Sequence, residues 1–381
     1  MNGFYRRCAI IATMTAVASL VPSGSVSASA VTAAASEVTS GRWSRVATTG
    51  DRPSERSAPL AANLPGQLYV FAGARDDFAT GQVTFYNDLH RLDVVRHRWT
   101  RLAPAGQLPP ARAFAAGASD PGRQQIFMFG GSTFDIPGTQ FQPFDDLWAY
   151  SAATNRWSRL TSVGAAPSAR SGSTMWAVGD RLYLFGGIDA TFTTLAELWS
   201  YDLRRSTWTL LTPAGMAPPG RHVAQAGTVA RFGQLTLYGG EAVDPQFGFV
   251  TLADTWQYDL VLNRWREVTP GQQNIDPPRN YGAATVLGRA LYLYGGDVSG
   301  GTGGCGAPFP QNPTAELWRF DLIGHTWQQL SPRGDPPVQL KRHAAAAVDG
   351  RMYVVSGWDF RCDGGAGPGQ IWNLDVYSLS P

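Results

Sequence analysis

Six tryptophans recur along the chain at intervals that range from 51 residues (Trp157 to Trp208) to 62 residues (Trp265 to Trp327). In each case an aliphatic residue follows three positions later; the six are Trp43, Trp99, Trp157, Trp208, Trp265 and Trp327. A recurring spacing of this length is typical of a repeated supersecondary unit that buries its apolar faces only by stacking on its neighbours. The chain is therefore predicted to be a repeat protein.

The same segments recur in the same order between these tryptophans. A turn containing proline ends in an arginine, and these arginines are Arg56, Arg112, Arg170, Arg221, Arg279 and Arg342. Next come a strand of small residues, an apolar strand that ends in a small pair such as Gly186-Gly187, and a strand that begins like Asp146-Leu147-Trp148. The strand that carries the repeat tryptophan completes a unit of four strands.

The order of these segments resembles the kelch repeat over residues 42–381, with Ala72-Gly73 and Ser356-Gly357 as departures from the Gly-Gly pair. The resemblance implies an all-β, six-bladed kelch-type β-propeller. Small side chains then suit the inner strands, which crowd around one axis, and the repeat tryptophans fill the gaps between blades.

The N-terminal strand is expected to close this propeller. Asp202 precedes Trp208 by six residues, and the same spacing from Asp375 would require a tryptophan at position 381, where Pro381 stands. The strand around Trp43 is predicted to supply the missing outer strand of the last blade, so that no open sheet edge remains at the seam. A monomer is expected.

Residues 1–30 have the pattern of a secretory signal peptide, with Arg6-Arg7 before an apolar stretch and a cleavage site of small residues at Ala28-Ser29-Ala30. Residues 31–41 are predicted to be a disordered linker and residues 42–381 the propeller. The protein is therefore expected to be secreted, either extracellular or in the cell envelope, without a membrane span. The net charge of +2 includes no basic block, which argues against nucleic-acid binding.

Cys305 and Cys362 fall in the loops that follow the small pairs of blades 5 and 6. Adjacent blades bring these loops side by side, so a disulfide is predicted in an oxidising compartment. Two unpaired thiols and a regulatory redox pair are the alternatives.

The loops after the small pairs and the arginine turns share one face of the propeller, which we call the loop face; its loops are residues 73–87, 131–145, 187–196, 240–253, 296–315 and 357–370. The six turn arginines are expected to converge near the mouth of the axial channel, where some would bind a carboxylate, sulfate or phosphate. The alternative is a structural role, in which each guanidinium bonds to backbone carbonyls or to acids of the next blade.

Glu241 directly follows Gly239-Gly240 and is the candidate catalytic acid/base. This stretch resembles two kelch-type enzyme families: the periplasmic sialic acid mutarotases, which have a catalytic glutamate there, and the plant nitrile- and thiohydroximate-specifier proteins, which have it in an iron-binding loop. The loop here has Asp244 as a second acid but no histidine or arginine, so no metal site is assigned, although a metal is left open. No cofactor is expected. His222 and His343 are predicted to point away from the axis into the blade packing.

Aromatic side chains are frequent on the loop face, Phe247 and Trp358 among them. Together with the arginines and Asp244, they favour a pocket at the channel mouth for a small anionic or partly apolar organic ligand. The protein would then be a binder or a non-redox isomerase, lyase or cyclase. The alternative is an extracellular protein- or glycan-recognition module without catalysis.

Overall fold

The computed structural model describes residues 41–229, 233–269, 275, 277–363 and 365–381. The predicted signal peptide and residues 31–40 of the predicted linker lie outside these ranges. Within them the regular structure consists of β-strands, and no helix there is long and apolar enough to cross a membrane. This agrees with the all-β prediction.

Six four-stranded antiparallel sheets form the framework, and the strands of each follow one another from the axis outward. Sheet 1 is Leu60–Leu64, Gln67–Phe71, Leu89–Asp93 and Arg98–Leu102, and sheet 2 is Ala116–Asp120, Gln125–Phe129, Leu147–Ser151 and Arg156–Leu160. Sheet 3 is Thr174–Val178, Arg181–Phe185, Leu198–Asp202 and Thr207–Leu211, and sheet 4 is Gln225–Val229, Gln234–Tyr238, Thr255–Asp259 and Arg264–Glu267. Sheet 5 is Ala283–Leu287, Ala290–Tyr294, Leu317–Asp321 and Trp327–Leu330, and sheet 6 is Ala344–Val348, Arg351–Val355, Val376–Ser380 and Arg42–Val46.

The inner strands pack against one another around the axis, and small residues make this possible. An added Cβ on Gly117 of sheet 2 would lie 2.6 Å from the Leu60 side chain of sheet 1. One on Gly227 of sheet 4 would lie 2.4 Å from Val286 of sheet 5. Real Cβ atoms do not approach this closely, so crowding explains the small residues of these strands.

Each repeat tryptophan packs against a residue of the preceding sheet, as predicted. Trp157 of sheet 2 lies 4.7 Å from Phe71 of sheet 1, and Trp43 of sheet 6 lies 5.3 Å from Tyr294 of sheet 5, measured between ring centroids. All but Trp327 are buried, and Trp327 is half-buried against Tyr238. Because these contacts cross from sheet to sheet, the apolar core lies between the blades.

Sheet 6 takes its outer strand from the N-terminal part of the described chain. Arg42–Val46 pairs antiparallel with Val376–Ser380, with Trp43 opposite Leu379. The Arg45 guanidinium adds an ion pair to Asp375 at 2.8 Å. This is the strand pairing that closure of the ring requires, while closure by this strand stays a prediction.

Five of the six loop-face loops form hairpins, a detail that the repeat pattern does not predict. Their strands are Ala74–Asp77 with Gln82–Phe85, Ser132–Thr133 with Gln142–Pro143, Glu241–Asp244 with Gly248–Thr251, Asp297–Gly304 with Ala307–Pro313, and Trp358–Asp363 with Ala366–Trp372. Arg279–Asn280 adds a third strand to the hairpin of sheet 5. Two short strands, Thr49–Gly50 and Arg333–Gly334, pair in parallel with the outer edges of sheets 1 and 6.

The predicted disulfide between Cys305 and Cys362 is confirmed and joins the hairpins of sheets 5 and 6. Cys305 lies in the turn of its hairpin, and both cysteines pack against the buried rings of Phe78, Trp358 and Phe360. The bond closes a segment whose ends are 57 residues apart. It therefore restricts the unfolded chain and ties two glycine-rich hairpins together.

The double substitution Cys305→Ser/Cys362→Ser is expected to lower the free energy of unfolding by about 2–4 kcal/mol, because the crosslink no longer limits the unfolded chain. Urea unfolding of the two proteins measures this difference. Reduced wild type is the matched control and should unfold like the variant. Equal midpoints for oxidised wild type and variant would contradict a stabilising role.

Candidate functional site

Five turn arginines belong to the framework of their own sheets. The side chains of these arginines are fully buried, and each pairs with the acid that precedes the third strand: Arg56–Asp88, Arg112–Asp146, Arg170–Glu197, Arg221–Asp254 and Arg279–Glu316. Four of them also donate to the first carbonyl of the small pair, as Arg221 does to Gly239 at 2.9 Å. The expectation that these five arginines line the channel mouth is therefore wrong. A structural role describes them, but their acids come from their own sheets and not from the next blade.

Arg342 is not the equivalent of these five arginines in sheet 6, contrary to the prediction. Gly187 N–H donates to the Arg221 carbonyl, and the equivalent donor in sheet 5, Gly296 N–H, bonds to Leu340. Leu340 therefore occupies the arginine position of sheet 6, and Asp375 is the acid that precedes its third strand. Asp375 pairs with Arg45 of the outer strand in place of a turn arginine.

Arg342 instead takes the position two residues after the turn arginine, where the backbone of every sheet has a positive φ. The six residues at this position are Ala58, Phe114, Gly172, Val223, Tyr281 and Arg342, with φ between 48° and 66°. The Arg342 guanidinium lies 5.3 Å from the Phe114 ring centroid and 4.9 Å from that of Tyr281. It also donates to the buried carboxylate of Asp76.

These residues lie between two cavities on the axis. A cavity of about 240 Å³ is lined by the inner strands, and one of about 160 Å³ lies on the loop side. Phe114, Val223, Tyr281 and Arg342 line both. The loop-side cavity is therefore the one open to a ligand from the loop face.

The residues that line both cavities form the floor of the loop-side cavity, and Tyr281 and Arg342 give this floor its polar groups. The walls of the cavity are mostly aromatic. Its aromatic rings, apart from the floor residue Tyr281, are Phe78, Phe114, Phe134, Phe141, Phe192, Phe249 and Phe309. Its polar side chains include Asp76, Ser132, Asp135, Ser171, His222, Tyr281 and Arg342. Such a surface can bury an apolar group while it hydrogen-bonds a polar end.

Glu241 lies directly behind this floor. Its carboxylate accepts from Asn280 Nδ2 at 2.8 Å and from Tyr281 Oη at 3.3 Å, and His222 Nε2 lies 3.2 Å from Oε2. The Glu241 side chain is 12% exposed. Burial raises the pKa of Tyr281, and the neighbouring Glu241 charge acts in the same direction, so Tyr281 remains a phenol donor at neutral pH.

The prediction for His222 is wrong, whereas His343 packs as predicted. The positive φ of Val223 interrupts strand alternation, so His222 reaches the cavity and Glu241. His343 packs against Tyr294 with ring centroids 5.7 Å apart, and burial lowers the pKa of His343 to about 3. His343 is therefore neutral in the folded protein at ordinary pH.

Two further buried charges flank the floor. Burial raises the pKa of Asp76, although Arg342 and the Ser57 hydroxyl act against this shift. Burial lowers the pKa of Lys341 to about 8, while its partner Asp297 acts in the opposite direction. The ammonium group of Lys341 also donates to Gln311 and is fully buried.

The other predicted site residues lie outside this cavity. Asp244 accepts from the backbone N–H groups of Gln246 and Phe247, which orders a hairpin turn. Phe247 at that turn is 73% exposed. Trp358 is fully buried against Phe78. Arg342 is the predicted ligand-binding residue that the structure brings to the cavity, with Glu241 behind the floor.

A third hollow, of about 420 Å³, lies beside the disulfide and is lined mainly by residues 300–301, 311–313, 360–363 and 366–368. Its lining includes Gln311, Asn312, Phe360 and Arg361. Among the described residues there is no group of three or more His, Cys, Asp or Glu side chains with the arrangement of a metal site.

The fold defines a six-bladed β-propeller whose loop face is built mainly from hairpins. The sequence matches the KLHDC2/KLHL20/DRC7 Kelch-repeats domain over residues 26–137 and 79–296, and the Attractin/LZTR1 beta-propeller over residues 235–363. The chain belongs to the kelch-repeat β-propeller family. Kelch propellers mediate protein interactions, so membership of this family supports a recognition function.

Curated relatives extend this assignment across most of the chain. Kelch domain-containing protein 3 of Bos taurus is 25% identical over 310 residues, which are 76% of this chain and 74% of the relative. Acyl-CoA-binding domain-containing protein 4 of Arabidopsis thaliana is 29% identical over 268 residues, or 67% of this chain and 37% of the relative. Host cell factor 1 of Rattus norvegicus is 25% identical over 368 residues, or 88% of this chain and 16% of the relative. The chain thus spans well under half of the last two relatives.

Proposed function

We propose that this protein is a secreted recognition module that binds a small, partly apolar organic ligand in the loop-side cavity. The observation that carries the proposal is the combination of aromatic walls with a hydrogen-bonding floor in one hollow of about 160 Å³. A protein cavity of about 150 Å³ holds a benzene-sized molecule, so the space suits a ligand of six to ten non-hydrogen atoms. Tyr281 and Arg342 on the floor supply polar contacts at one end of such a ligand.

The arginines do not support an anionic ligand. Five of the six guanidinium groups are buried in ion pairs with acids of their own sheets. Arg342, the one on the cavity floor, donates to Asp76. These ion pairs thus favour a partly apolar ligand over an anionic one.

Secretion is part of the proposal and rests on two features. Residues 1–30 have the pattern of a signal peptide. The disulfide between Cys305 and Cys362 suits an oxidising compartment. Catalysis by Glu241 stays a prediction.

The substitution Phe249→Ala is expected to weaken binding of a small aromatic alcohol, with benzyl alcohol as the probe, by about tenfold. Phe249 lines the cavity and is 55% exposed, so its ring contacts the ligand while its removal leaves the core intact. Loss of one aromatic contact corresponds to about 1.4 kcal/mol. Titration calorimetry of both proteins measures the ratio of dissociation constants.

Phe247→Ala is the matched control, because Phe247 lies in the same hairpin but does not line the cavity. Its dissociation constant should equal that of wild type. Equal losses in the two variants would mean that the probe binds the hairpin surface, and absence of probe binding to wild type would overturn the proposal.

A second candidate function is recognition of an extracellular protein by the loop face. Four phenylalanines of the hairpins and loops of sheets 3–5 are 40–73% exposed: Phe192, Phe247, Phe249 and Phe309. Exposed aromatic side chains on one face are typical of a docking surface. In this case Phe247→Ala would weaken binding of the partner protein as much as Phe249→Ala does. This outcome distinguishes protein recognition by the loop face from binding of a small ligand in the cavity.

A further inference from the structure

We infer that the loop-side cavity selects a small organic cation of the ammonium class. This inference rests on the proposed function and names the charge of the ligand that the cavity binds. It replaces the anionic ligand that the turn arginines suggested from sequence.

The charge around the cavity is the first argument. Asp76 and Asp135 line the cavity and Glu241 lies behind its floor, whereas Arg342 is the cationic side chain among the lining residues of the described chain. Arg342 pairs with Asp76, so Glu241 and Asp135 remain in excess. If Asp76 is protonated, the two remaining carboxylates still outnumber the single guanidinium.

Neither of these two carboxylates is neutralised by an arginine or lysine in the ranges that the structure describes. Glu241 has Asn280, Tyr281 and His222 as its contacts. Asp135 accepts from the Thr139 hydroxyl and the Gln140 N–H; burial raises its pKa, but these bonds outweigh burial and lower it. Lys341 also interacts electrostatically with Glu241, but its ammonium group bonds to Asp297 and Gln311 and lies outside the cavity lining.

The aromatic walls are the second argument. The face of an aromatic ring carries negative potential and attracts a cation within about 6 Å, and cages of such rings bind quaternary ammonium groups. Phe141 and Phe192 lie 5.1 Å apart on one side of the cavity, and Phe114 and Phe134 lie 5.8 Å apart on another. Several ring systems therefore surround the space that a ligand would fill.

Arg342 already places a cation against two of the rings that line the cavity. Its guanidinium lies 5.3 Å from the Phe114 ring centroid and 4.9 Å from that of Tyr281. A bound carboxylate would instead meet Glu241 and Asp135 in a partly desolvated space, where like charges repel strongly. The same walls thus favour an ammonium ligand and disfavour an anion.

Three molecules of nearly equal shape test this inference: choline, its neutral isostere 3,3-dimethylbutan-1-ol, and the anion 3,3-dimethylbutanoate. Calorimetric titration of the wild-type protein is expected to show choline binding at least tenfold more tightly than the neutral alcohol, with the anion weakest. Glu241→Gln is expected to weaken the binding of choline about tenfold and to leave the binding of the neutral alcohol unchanged. The variant keeps the shape of the side chain and removes its charge. Glu267→Gln, on the outer strand of sheet 4, is the matched control and should bind all three like wild type.

The failures are distinguishable. If the neutral alcohol or the anion binds as tightly as choline, or if Glu241→Gln weakens all three equally, cation selectivity is overturned while the cavity remains a binding site. If benzyl alcohol binds with the expected dependence on Phe249 and choline does not bind, the cation class is likewise overturned. If choline, its two isosteres and benzyl alcohol all fail to bind, the proposed function is overturned as well.

Discussion

Arg112→Leu is expected to lower the free energy of unfolding by about 3–5 kcal/mol. The substitution removes the partner of Asp146, whose side chain is 8% exposed, and so leaves a buried carboxylate without a counter-charge. It also removes a donor to the buried Gly130 carbonyl. Because the Arg112 backbone carbonyl accepts from Gly73 of the preceding blade, the disturbance extends to the contact between sheets 1 and 2. Equilibrium unfolding in urea measures the loss.

A double variant is the control for this prediction. Arg112→Leu/Asp146→Asn removes the charge that Arg112→Leu leaves unpaired and is expected to recover much of the lost stability. Sheet 6 tolerates Leu340 at the arginine position because its acid, Asp375, pairs with Arg45 of the outer strand. Arg96→Leu removes a single exposed ion pair, with Asp93, and should cost less than about 1 kcal/mol. A loss below 1 kcal/mol for Arg112→Leu would contradict the structural role of the turn arginines.

The repeat explains why the framework could be predicted from sequence. Strand order, the crowding of small residues at the axis and the packing of the repeat tryptophans all follow from features that recur in each unit. The pairing of Cys305 with Cys362 followed as well, because adjacent blades place equivalent loops together. The acid before each third strand was visible in the sequence as the start of the Asp-Leu-Trp pattern, but its partner was not recognised.

The site was harder to predict because its residues share a conformation and not a side-chain type. Val223, Tyr281 and Arg342 occupy the same positive-φ position in three sheets, yet their side chains have nothing in common. Arg342 was mistaken for a turn arginine because it lies only two residues beyond the true equivalent, Leu340. Counting two positions forward from each turn arginine would have identified the lining residues of the channel.

The hairpins of the loop face also escaped prediction, since their register does not repeat between blades. Asp76 reaches Arg342 only because the hairpin of sheet 1 begins at Ala74 and turns the side chain of Asp76 inward. Glu241 and His222 face each other across a single bridge between the turn and the hairpin of sheet 4. The candidate site of this protein therefore depends on hairpins that differ between blades of a repeated framework, and the fold alone leaves the ligand open.

Trp43→Ala is expected to lower the free energy of unfolding by about 3–5 kcal/mol and to release the strand that completes sheet 6. Trp43 is 1% exposed and packs on Tyr294 of sheet 5, so its removal leaves a large cavity between two blades. The strand Arg42–Val46 reaches its partner Val376–Ser380 from the other end of the propeller sequence, and Trp43 supplies most of its buried surface.

Trp157→Ala is the matched control, because Trp157 fills the equivalent gap in sheet 2, where all four strands are consecutive in the chain. Both variants should lose similar global stability, but only Trp43→Ala should abolish hydrogen-exchange protection of the Val376–Ser380 amides that bond to the N-terminal strand. Retained protection there, together with a loss below about 1 kcal/mol, would contradict closure of the propeller by this strand.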